Sequence, residues 1–379
     1  MSPRGIARRR ALRLVSIAAT ALAGCGAVSP TAPDARGGAA PGTGVPADLP
    51  TPPASRGAFW SGAYLGDAVT TPEKVAGAIA DFAAMTGKRP ALVKSFHRLD
   101  ADLAATGWAG RVLRAISDAG STNYLALDLE WTGRPAGSLL DAINRGAADA
   151  VIDRAARGIA AVKGQVLVEA AWEMNGNWAY SWQGIANGSD TQAPAKFVAA
   201  WRHVADRFRA AGATNVRWVF NPNTGNPLGS GSGHWNWWGN YYPGDAYVDY
   251  IGAHGYNGPK VFGTAYHSYD ALFGGADGDY VLRDMKARFP NKPIILGEIG
   301  VEEVAGHDKG AWVKDAYARM LADPQIVGAV WFNMNKEADW RVNSSASALA
   351  GYRAALQPVQ VAEAYDDSRV APGVMVASR

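Results

Sequence analysis

The 379-residue sequence contains a single cysteine, Cys25. It therefore has no intramolecular disulfide, and its stability must come from a hydrophobic core, for which hydrophobic residues at 48% are sufficient. The formal net charge is only +3, without the basic stripe of a nucleic-acid-binding surface. The six histidines lack the spacing of a metal site, and no glycine-rich nucleotide motif is present. We expect no metal, no cofactor and no nucleic-acid partner.

Residues 1–25 are typical of an export signal. The basic start SPRGIARRRALR precedes LVSIAATALAG, an apolar run too short for an ordinary membrane span. The run ends in LAGC, which resembles the lipobox of bacterial lipoproteins. The resemblance implies cleavage before Cys25, a lipid on its sulfur, and a bacterial envelope protein on the periplasmic or cell-surface side. The alternative is a plain signal peptide with an incidental cysteine, and the arginines at 8–10 leave a twin-arginine signal open.

The rest of the chain divides into three parts. Residues 26–55 are rich in Pro, Ala, Gly, Ser and Thr and have no apolar period, which predicts a flexible linker. Residues 56–357 are expected to form one folded domain, which we expect to be monomeric. Residues 358–379 are expected to be a loosely ordered tail.

The folded domain repeats one pattern, in which a short apolar run is followed by a loop and a stretch of helical period. Such alternation predicts an α/β fold, a closed (β/α)8 TIM barrel, with a doubly wound open sheet as the alternative. An open sheet usually has a glycine-rich turn after its first strand, and GAYLGD is a poor match for it. The apolar runs are 58–66, 91–96, 123–131, 165–173, 216–223, 248–256, 293–300 and 327–334.

Two of these runs end in a glutamate. VLVEAAWE ends at Glu173 and PIILGE at Glu298, on the fourth and seventh predicted strands. Side chains at the carboxyl ends of barrel strands meet at one mouth, so the two carboxylates should face each other across it. Such a pair is the apparatus of glycoside hydrolysis, and a gap of about 5–5.5 Å would predict retention of anomeric configuration. The alternative is that each glutamate caps a loop or pairs with an arginine.

The segment WEMNGNWAYSW resembles the acid/base segment of glycoside hydrolase family 26, the β-mannanase family, and PIILGEIG is similar to its nucleophile strand. The resemblance extends from about Trp60 to Ala355. It implies that Glu173 is the acid/base, that Glu298 is the nucleophile, and that the substrate is a β-linked polysaccharide. Mannan is the first expectation, with a β-glucan or an exopolysaccharide as alternatives.

The resemblance also implies roles for three aromatic residues. Tyr256 matches the tyrosine that hydrogen-bonds the nucleophile, Trp178 an aromatic beside the scissile bond, and Trp331 the floor of the reactive subsite. Aromatic rings pack against the apolar faces of sugars, although core packing is the alternative for each ring. The amides of Asn175 and Asn221 are candidates for binding sugar hydroxyls.

Weaker candidates follow other predicted strands. Glu130, after the third strand, and His97, after the second, are possible sugar contacts. The aromatic loop SGSGHWNWWGNYY, residues 230–242, would either extend a glycan cleft or pack on itself.

The sequence departs from the family pattern at three positions. Trp172 stands where a histidine is usual, Glu169 where an arginine is usual, and His254 where an aspartate is common. A carboxylate at Glu169 would favour the protonated form of Glu173, unless it pairs with a basic residue of the barrel. These departures leave two rivals to a hydrolase, a glycan-binding lipoprotein without turnover and a surface scaffold whose aromatic residues bind protein.

Overall fold

The computed structural model describes residues 58–369, except 179, 230, 263–265 and 275–280. The predicted signal segment with Cys25, the linker and the last ten residues lie outside this description. Among the described helices, none combines the length and apolar character that crossing a bilayer requires.

The strands form a closed parallel barrel, as predicted. Each strand pairs in parallel with the next, and the last barrel strand, β9, pairs with β1 through five residues from Trp60↔Gly328 to Tyr64↔Phe332. The strands are β1 (Phe59–Tyr64), β2 (Leu92–Arg98), β3 (Thr122–Asp128), β4 (Val166–Ala170), β5 (Val216–Phe220), β6 (Tyr250–Ile251), β7 (His254–Asn257), β8 (Ile294–Val301) and β9 (Ile326–Phe332). β6 and β7 are two pieces of the sixth barrel strand, since both pair with β8.

Helices surround the barrel and begin and end where the sequence indicates. Pro72 begins α1, and Gly87 ends it in a left-handed conformation, φ 87°, with its N–H donating to Ala83 O. The helices are α1 (Pro72–Thr86), α2 (Trp108–Asp118), α3 (Leu139–Asn144), α4 (Asp149–Ala160), α5 (Ala193–Ala210), α6 (Pro259–Phe262), α7 (Tyr269–Gly274), α8 (Val281–Arg288), α9 (Lys309–Ala322) and α10 (Ala346–Ala355). Within the described part of the chain, only two short 3-10 turns lie between β5 and β6, where the sequence marks a helix poorly.

The expectation of a loose tail after residue 357 is wrong for residues 361–369. Val361 and Ala362 form a short strand, β10, that pairs with β1. Tyr365 lies 4.6 Å from the ring of Trp60, and its hydroxyl is 2.9 Å from that of Tyr250. The ring contact and the hydroxyl contact cover the amino end of the barrel, so this part of the tail belongs to the folded domain.

Candidate active site

Glu173 lies three residues beyond the end of β4, in a tight loop at the carboxyl end of the barrel. Ala171 and Glu173 both have positive φ, 48° and 53°, a conformation uncommon for residues other than glycine. Backbone hydrogen bonds hold the loop in this shape, since Ala171 N donates to Leu127 O and Glu173 N to Asn221 O. Strain of this kind is found mainly at functional sites, and here it turns the Glu173 side chain into the mouth.

Glu298 lies on β8, and two donors hold its carboxylate. Tyr256 donates a hydrogen bond to Oε2, as the family resemblance implies, and Lys94 Nζ lies 2.8 Å from Oε1. Burial would raise the pKa of Glu298, but Lys94 and His254 outweigh it and lower the pKa below its usual value. Burial and the charge of Glu298 raise the pKa of Tyr256, which keeps its hydroxyl protonated. Glu298 is therefore ionised and oriented, as a nucleophile must be.

Behind the two glutamates, Glu169 lies fully buried in the barrel. Its carboxylate accepts hydrogen bonds from Lys94 (2.5 Å), His254 (2.7 Å), Asn221 (2.6 Å) and Tyr124 (3.1 Å). Burial opposes ionisation, but His254 and Lys94 lower the pKa of Glu169 to about 2. Of the two readings of Glu169 in the sequence, the structure shows pairing with a basic residue of the barrel.

A glycine of β8 makes this arrangement possible. A side chain at Gly297 would overlap Asn221, Glu169 and Tyr124. Only a residue without a β-carbon therefore lets the buried carboxylate and its donors approach the strand.

His254 connects Glu169 to Glu173. Its Nε2 is 2.7 Å from Glu169 Oε1, and its Nδ1 is 2.9 Å from Glu173 Oε1. Burial alone would lower the pKa of His254, but Glu169 and Glu298 raise it to about 9, so the imidazole is positively charged at neutral pH. Lys94 and His254 thus supply two positive charges against the carboxylates of Glu169 and Glu298.

Glu173 and Glu298, the two glutamates that the sequence predicts at the mouth, both lie close to Nδ1 of His254. Nδ1 of His254 is 2.9 Å from Glu173 Oε1 and 3.8 Å from Glu298 Oε2, so these two oxygens are at most about 6.7 Å apart. Both residues remain slightly exposed, at 7% and 5%, which leaves their carboxyl groups accessible to a substrate in the mouth.

Glu169, His254 and Glu298 place one potential ligand atom each within 4.8 Å of one another. Three such ligands are compatible with a divalent ion, but Lys94 Nζ contacts both carboxylates of the group. An ammonium at this place supplies the positive charge that a metal ion would otherwise bring. The donor set therefore does not fit a resident metal while Lys94 is charged.

Aromatic side chains line the mouth near Glu173. Trp178 is partly exposed, and its Nε1 donates to Glu173 Oε2 at 2.8 Å, which places it beside the candidate acid/base; its place beside the scissile bond stays a prediction. The ring of Trp172 packs against Phe96 at 5.4 Å, Tyr180 at 5.6 Å and Trp182 at 4.8 Å. The residue that replaces the usual histidine is thus part of an aromatic wall.

Trp331 does not floor a subsite in this structure, and this prediction is corrected. Its side chain is fully buried, its Nε1 donates to Trp340 O at 2.7 Å, and its ring packs against Tyr352 of α10. Neighbouring residues on a strand point to opposite faces, so Trp331 faces the helices. Phe332, one residue later, lies on the opposite face with its ring 5.7 Å from that of Tyr256.

His97 is also turned away from the barrel interior. It alternates with Lys94 and Phe96 along β2, and its ring packs at 5.6 Å against Trp108 of α2. Burial lowers its pKa to about 4, which is the behaviour of a neutral core histidine. Its predicted contact with sugar is therefore corrected to a packing role.

The two predicted amide contacts are used inside the protein. Asn175 is fully buried, accepts a hydrogen bond from Asn223 N at 2.9 Å and donates to Asn223 O at 3.1 Å. Asn221 is 1% exposed and donates to Glu169 and to Tyr124. Both amides are buried and bonded to other residues of the protein, so their predicted contact with sugar is corrected to a role in holding the site together. Glu130 is partly exposed and pairs with Arg134 at 3.0 Å, and its contact with sugar stays a prediction.

The aromatic loop after β5 packs largely on the protein. Asn236, Trp237, Trp238 and Tyr241 are buried, and Asn236 Nδ2 donates to Asn175 O at 2.7 Å. Of the two possibilities that the sequence left open, the structure favours a packed loop that supports the Glu173 segment.

Sequence reasoning missed Lys94 and Tyr124. Both lie inside apolar strands, in ALVKSF and NYLALD. A lysine in the middle of a buried strand is itself a signal, because lysine is almost never fully buried unless it is paired. Their partners are distant in the sequence, and only the closed barrel brings them together.

Comparisons with known proteins found two similarities in sequence. Residues 141–300 match the model of glycosyl hydrolase family 26. Endoglucanase H of Acetivibrio thermocellus is 35% identical over 305 residues, which are 80% of this chain and 31% of that protein. The chain thus spans about a third of the length of this curated relative.

Solved structures share the fold at low sequence identity. A GH26 β-mannanase from Bacteroides ovatus has a TM-score of 0.58 at 15% identity, covering 83% of this chain and 93% of that one. A modular endo-β-1,4-mannanase from Cellulomonas fimi has a TM-score of 0.57 at 16% identity, covering 85% of this chain and 75% of that one. At these identities the likeness establishes the barrel and not the substrate.

Proposed function

We propose that this protein is a retaining endo-β-glycanase that uses Glu298 as nucleophile and Glu173 as acid/base. The observation that carries the proposal is the placement of the two carboxyl groups around His254 Nδ1, at 2.9 Å and 3.8 Å. An upper limit of about 6.7 Å between the facing oxygens suits the short separation of a retaining pair better than the 6.5–9.5 Å of an inverting pair.

The surroundings of the two carboxyl groups suit their different tasks. Lys94 and Tyr256 hold Glu298 as an oriented carboxylate, ready to attack the anomeric carbon and form the covalent glycosyl-enzyme. Glu173 would protonate the leaving oxygen and then, as a base, take a proton from the attacking water. Lys94 and His254 balance the charges of Glu169 and Glu298, so this buried group of four side chains is neutral overall.

For the substrate, we propose a β-glucan before mannan. Endoglucanase H is the relative at 35% identity, while the mannanase structures are similar at only 15–16%. Trp172, buried in the aromatic wall, also removes the polar histidine usual at this place in the mannanase family. Mannan is the second candidate, because the Glu-Met-Asn-Gly segment resembles that family.

The test is a reducing-sugar assay of the full-length protein on mixed-linkage β-glucan, cellulose, glucomannan and galactomannan. We expect release from at least one polysaccharide, and NMR of the first product should show a retained anomeric configuration. Glu298→Ala should lose at least about 10⁴-fold activity. Glycan binding without release would support the lipoprotein that has lost turnover, and an inverted first product would contradict the retaining mechanism.

We also propose that the protein is a monomer held at the bacterial envelope by a lipid on Cys25. The support is the LAGC sequence at the end of a short apolar run. Metabolic labelling with a palmitate analogue should tag the wild type and not Cys25→Ser. Equal labelling of both proteins would exclude the anchor.

A further inference from the structure

The imidazole of His254 lies between two carboxyl groups that differ in exposure. Glu169, on the Nε2 side at 2.7 Å, is fully buried, whereas Glu173, on the Nδ1 side at 2.9 Å, opens into the mouth. One ring therefore joins the interior of the barrel to the residue proposed to transfer protons to and from the substrate.

The backbone fixes the position of this ring. His254 N donates to Pro222 O, and Thr224 N donates to His254 O, each at 3.0 Å. His254 also lies opposite Glu298 in the register of β7 and β8. Because its Cα is held between two neighbouring segments and its side chain has no exposed surface, the imidazole has little freedom to choose other partners.

The charges around His254 keep both of its nitrogens protonated. Glu169 faces it from β4, Glu173 from the following loop, Glu298 from β8 and Lys94 from β2. The nearby hydroxyls of Tyr124 and Tyr256 are neutral, because burial first, and then the buried carboxylates, raise their pKa values. With its own pKa raised to about 9 against the lowering effect of burial, His254 donates to both carboxylates at neutral pH.

We propose that His254 is a positioning residue that ties the Glu173 carboxyl group to the buried Glu169 and presents a permanent hydrogen-bond donor to Glu173 Oε1. Trp178 donates to the other oxygen, Oε2, so the two donors together set the plane of the carboxyl group. His254 does not touch the substrate; it acts through Glu173. This inference rests on the proposed function, in which Glu173 is the acid/base.

Two substitutions test the two ring nitrogens of His254 separately. The amide nitrogen of asparagine is as many bonds from Cβ as Nδ1 of histidine, and that of glutamine as many as Nε2. His254→Asn therefore keeps a donor toward Glu173, and His254→Gln keeps one toward Glu169. On the polysaccharide, we expect His254→Gln to lose about 10²–10³-fold in kcat, within the range of a general acid–base contribution, and His254→Asn to lose about tenfold or less.

The loss of rate in His254→Gln should depend on the leaving group of the substrate. On an aryl glycoside with a good leaving group, cleavage needs no proton from Glu173, so His254→Gln should lose less than about tenfold in the rate of bond cleavage. His97→Gln is the matched control, since it changes a buried histidine of the same barrel end that faces α2. The His97→Gln control should change the rates on the two substrates by the same factor.

A double-mutant cycle with Glu173→Ala decides whether His254 acts through Glu173. If it does, adding His254→Gln to Glu173→Ala should lower kcat by less than about threefold more, because the coupled partner is already absent. Azide should accelerate both Glu173→Ala proteins on the good-leaving-group substrate. Losses that simply multiply would overturn the positioning role.

Other outcomes have distinct meanings. Failure of azide to accelerate Glu173→Ala would contradict the proposed role of Glu173 itself and not the role of His254 alone. If His254→Gln does not fold, His254→Ala, which removes both donors, takes its place. It should lose about 10²–10³-fold in kcat on the polysaccharide and less than about tenfold in the rate of bond cleavage on the good-leaving-group substrate. Equal losses on the two substrates would overturn the inference.

Discussion

The two ends of the barrel interior contrast in chemistry. At the amino end the interior is apolar and capped by Tyr365, while at the carboxyl end it contains charged side chains that pair with one another. The change occurs within two residues of the same strand face, from Leu92 to Lys94 on β2 and from Leu167 to Glu169 on β4. The apolar end comprises Trp60, Leu92, Leu167, Val219, Tyr250, Ile295 and Val327.

This contrast indicates that the amino end of the barrel mainly stabilises the fold and that the carboxyl end contains the reactive groups. Apolar burial stabilises the fold by about 25 cal/mol per Å² of surface removed from water, and it leaves the amino end chemically inert. Burying a charge costs several kcal/mol unless a partner compensates for it. At the carboxyl end the buried charged side chains offset this cost by pairing with one another. The same pairing holds Glu173 and Glu298 in fixed positions. Each charge at this end therefore depends on the others, unlike the residues of the apolar end.

The strongest way to break this contrast is Lys94→Met, which removes the cation shared by Glu169 and Glu298. Because an uncompensated buried charge remains, we expect a loss of about 3–5 kcal/mol in the free energy of unfolding. Activity should fall at least about 10³-fold, since Glu298 loses the cation that lowers its pKa. Chemical denaturation and a polysaccharide assay measure the two effects.

Leu92→Ala is the matched control, two residues earlier on the same strand face. It should cost about 2–5 kcal/mol through a cavity, but change the activity per folded molecule less than about twofold. If Lys94→Met kept wild-type stability, the proposed mutual dependence of the buried charges would be wrong.

The pH dependence of stability should also separate the two ends. The lowered pKa of Glu169, about 2, contributes stability that is present above pH 4.5 and is lost as the pH falls through 2. The raised pKa of His254, about 9, contributes stability that is present below pH 6.5 and is lost as the pH rises through 9.

Denaturation from pH 3 to 10 should therefore give maximum stability near pH 4.5–6.5. The alkaline loss attributable to His254 should not exceed about 3 kcal/mol. His254→Gln, which cannot titrate, should lack that alkaline component, whereas Leu92→Ala should keep it. An unchanged alkaline slope in His254→Gln would refute the assignment.

Trp178→Phe tests a single donor at the mouth. It keeps an aromatic ring but removes the hydrogen bond from Nε1 to Glu173 Oε2. An ordinary hydrogen bond contributes about 0.5–1.5 kcal/mol, so kcat/KM should fall by about 2–10-fold. The side chain is partly exposed, and the melting temperature should therefore change little. A large loss of stability with unchanged kcat/KM would show that the ring only packs.

The smallest effect is expected at the amino end. Tyr365→Phe removes the hydroxyl that lies 2.9 Å from the Tyr250 hydroxyl and keeps the ring against Trp60. The free energy of unfolding should fall by about 1 kcal/mol, with activity unchanged in the same assay. A marked loss of activity would show that the tail influences the site across the whole barrel.

Glu173 and Glu298 lie at the mouth because the strand pattern places them there, and the contact of Tyr256 with Glu298 is the one that the family resemblance implies. A glutamate at the end of an apolar strand reaches the mouth in any (β/α)8 barrel. Trp331, His97, Asn175 and Asn221 were assigned wrongly for two reasons. The sequence places each near a strand end, but one position along a strand decides between the interior and the helix layer, and local hydrogen bonds decide whether an amide is free.

The sequence by itself determined the eight strands, their order and the two glutamates at their ends, because apolar period and strand length are local properties. Only the tertiary structure decided the buried group of Lys94, Glu169 and His254, whose members lie on β2, β4 and β7. Closing the barrel brings these side chains within hydrogen-bonding distance and removes water from them. Their charges then depend on one another, and pairing of that kind has no signature in any single stretch of sequence.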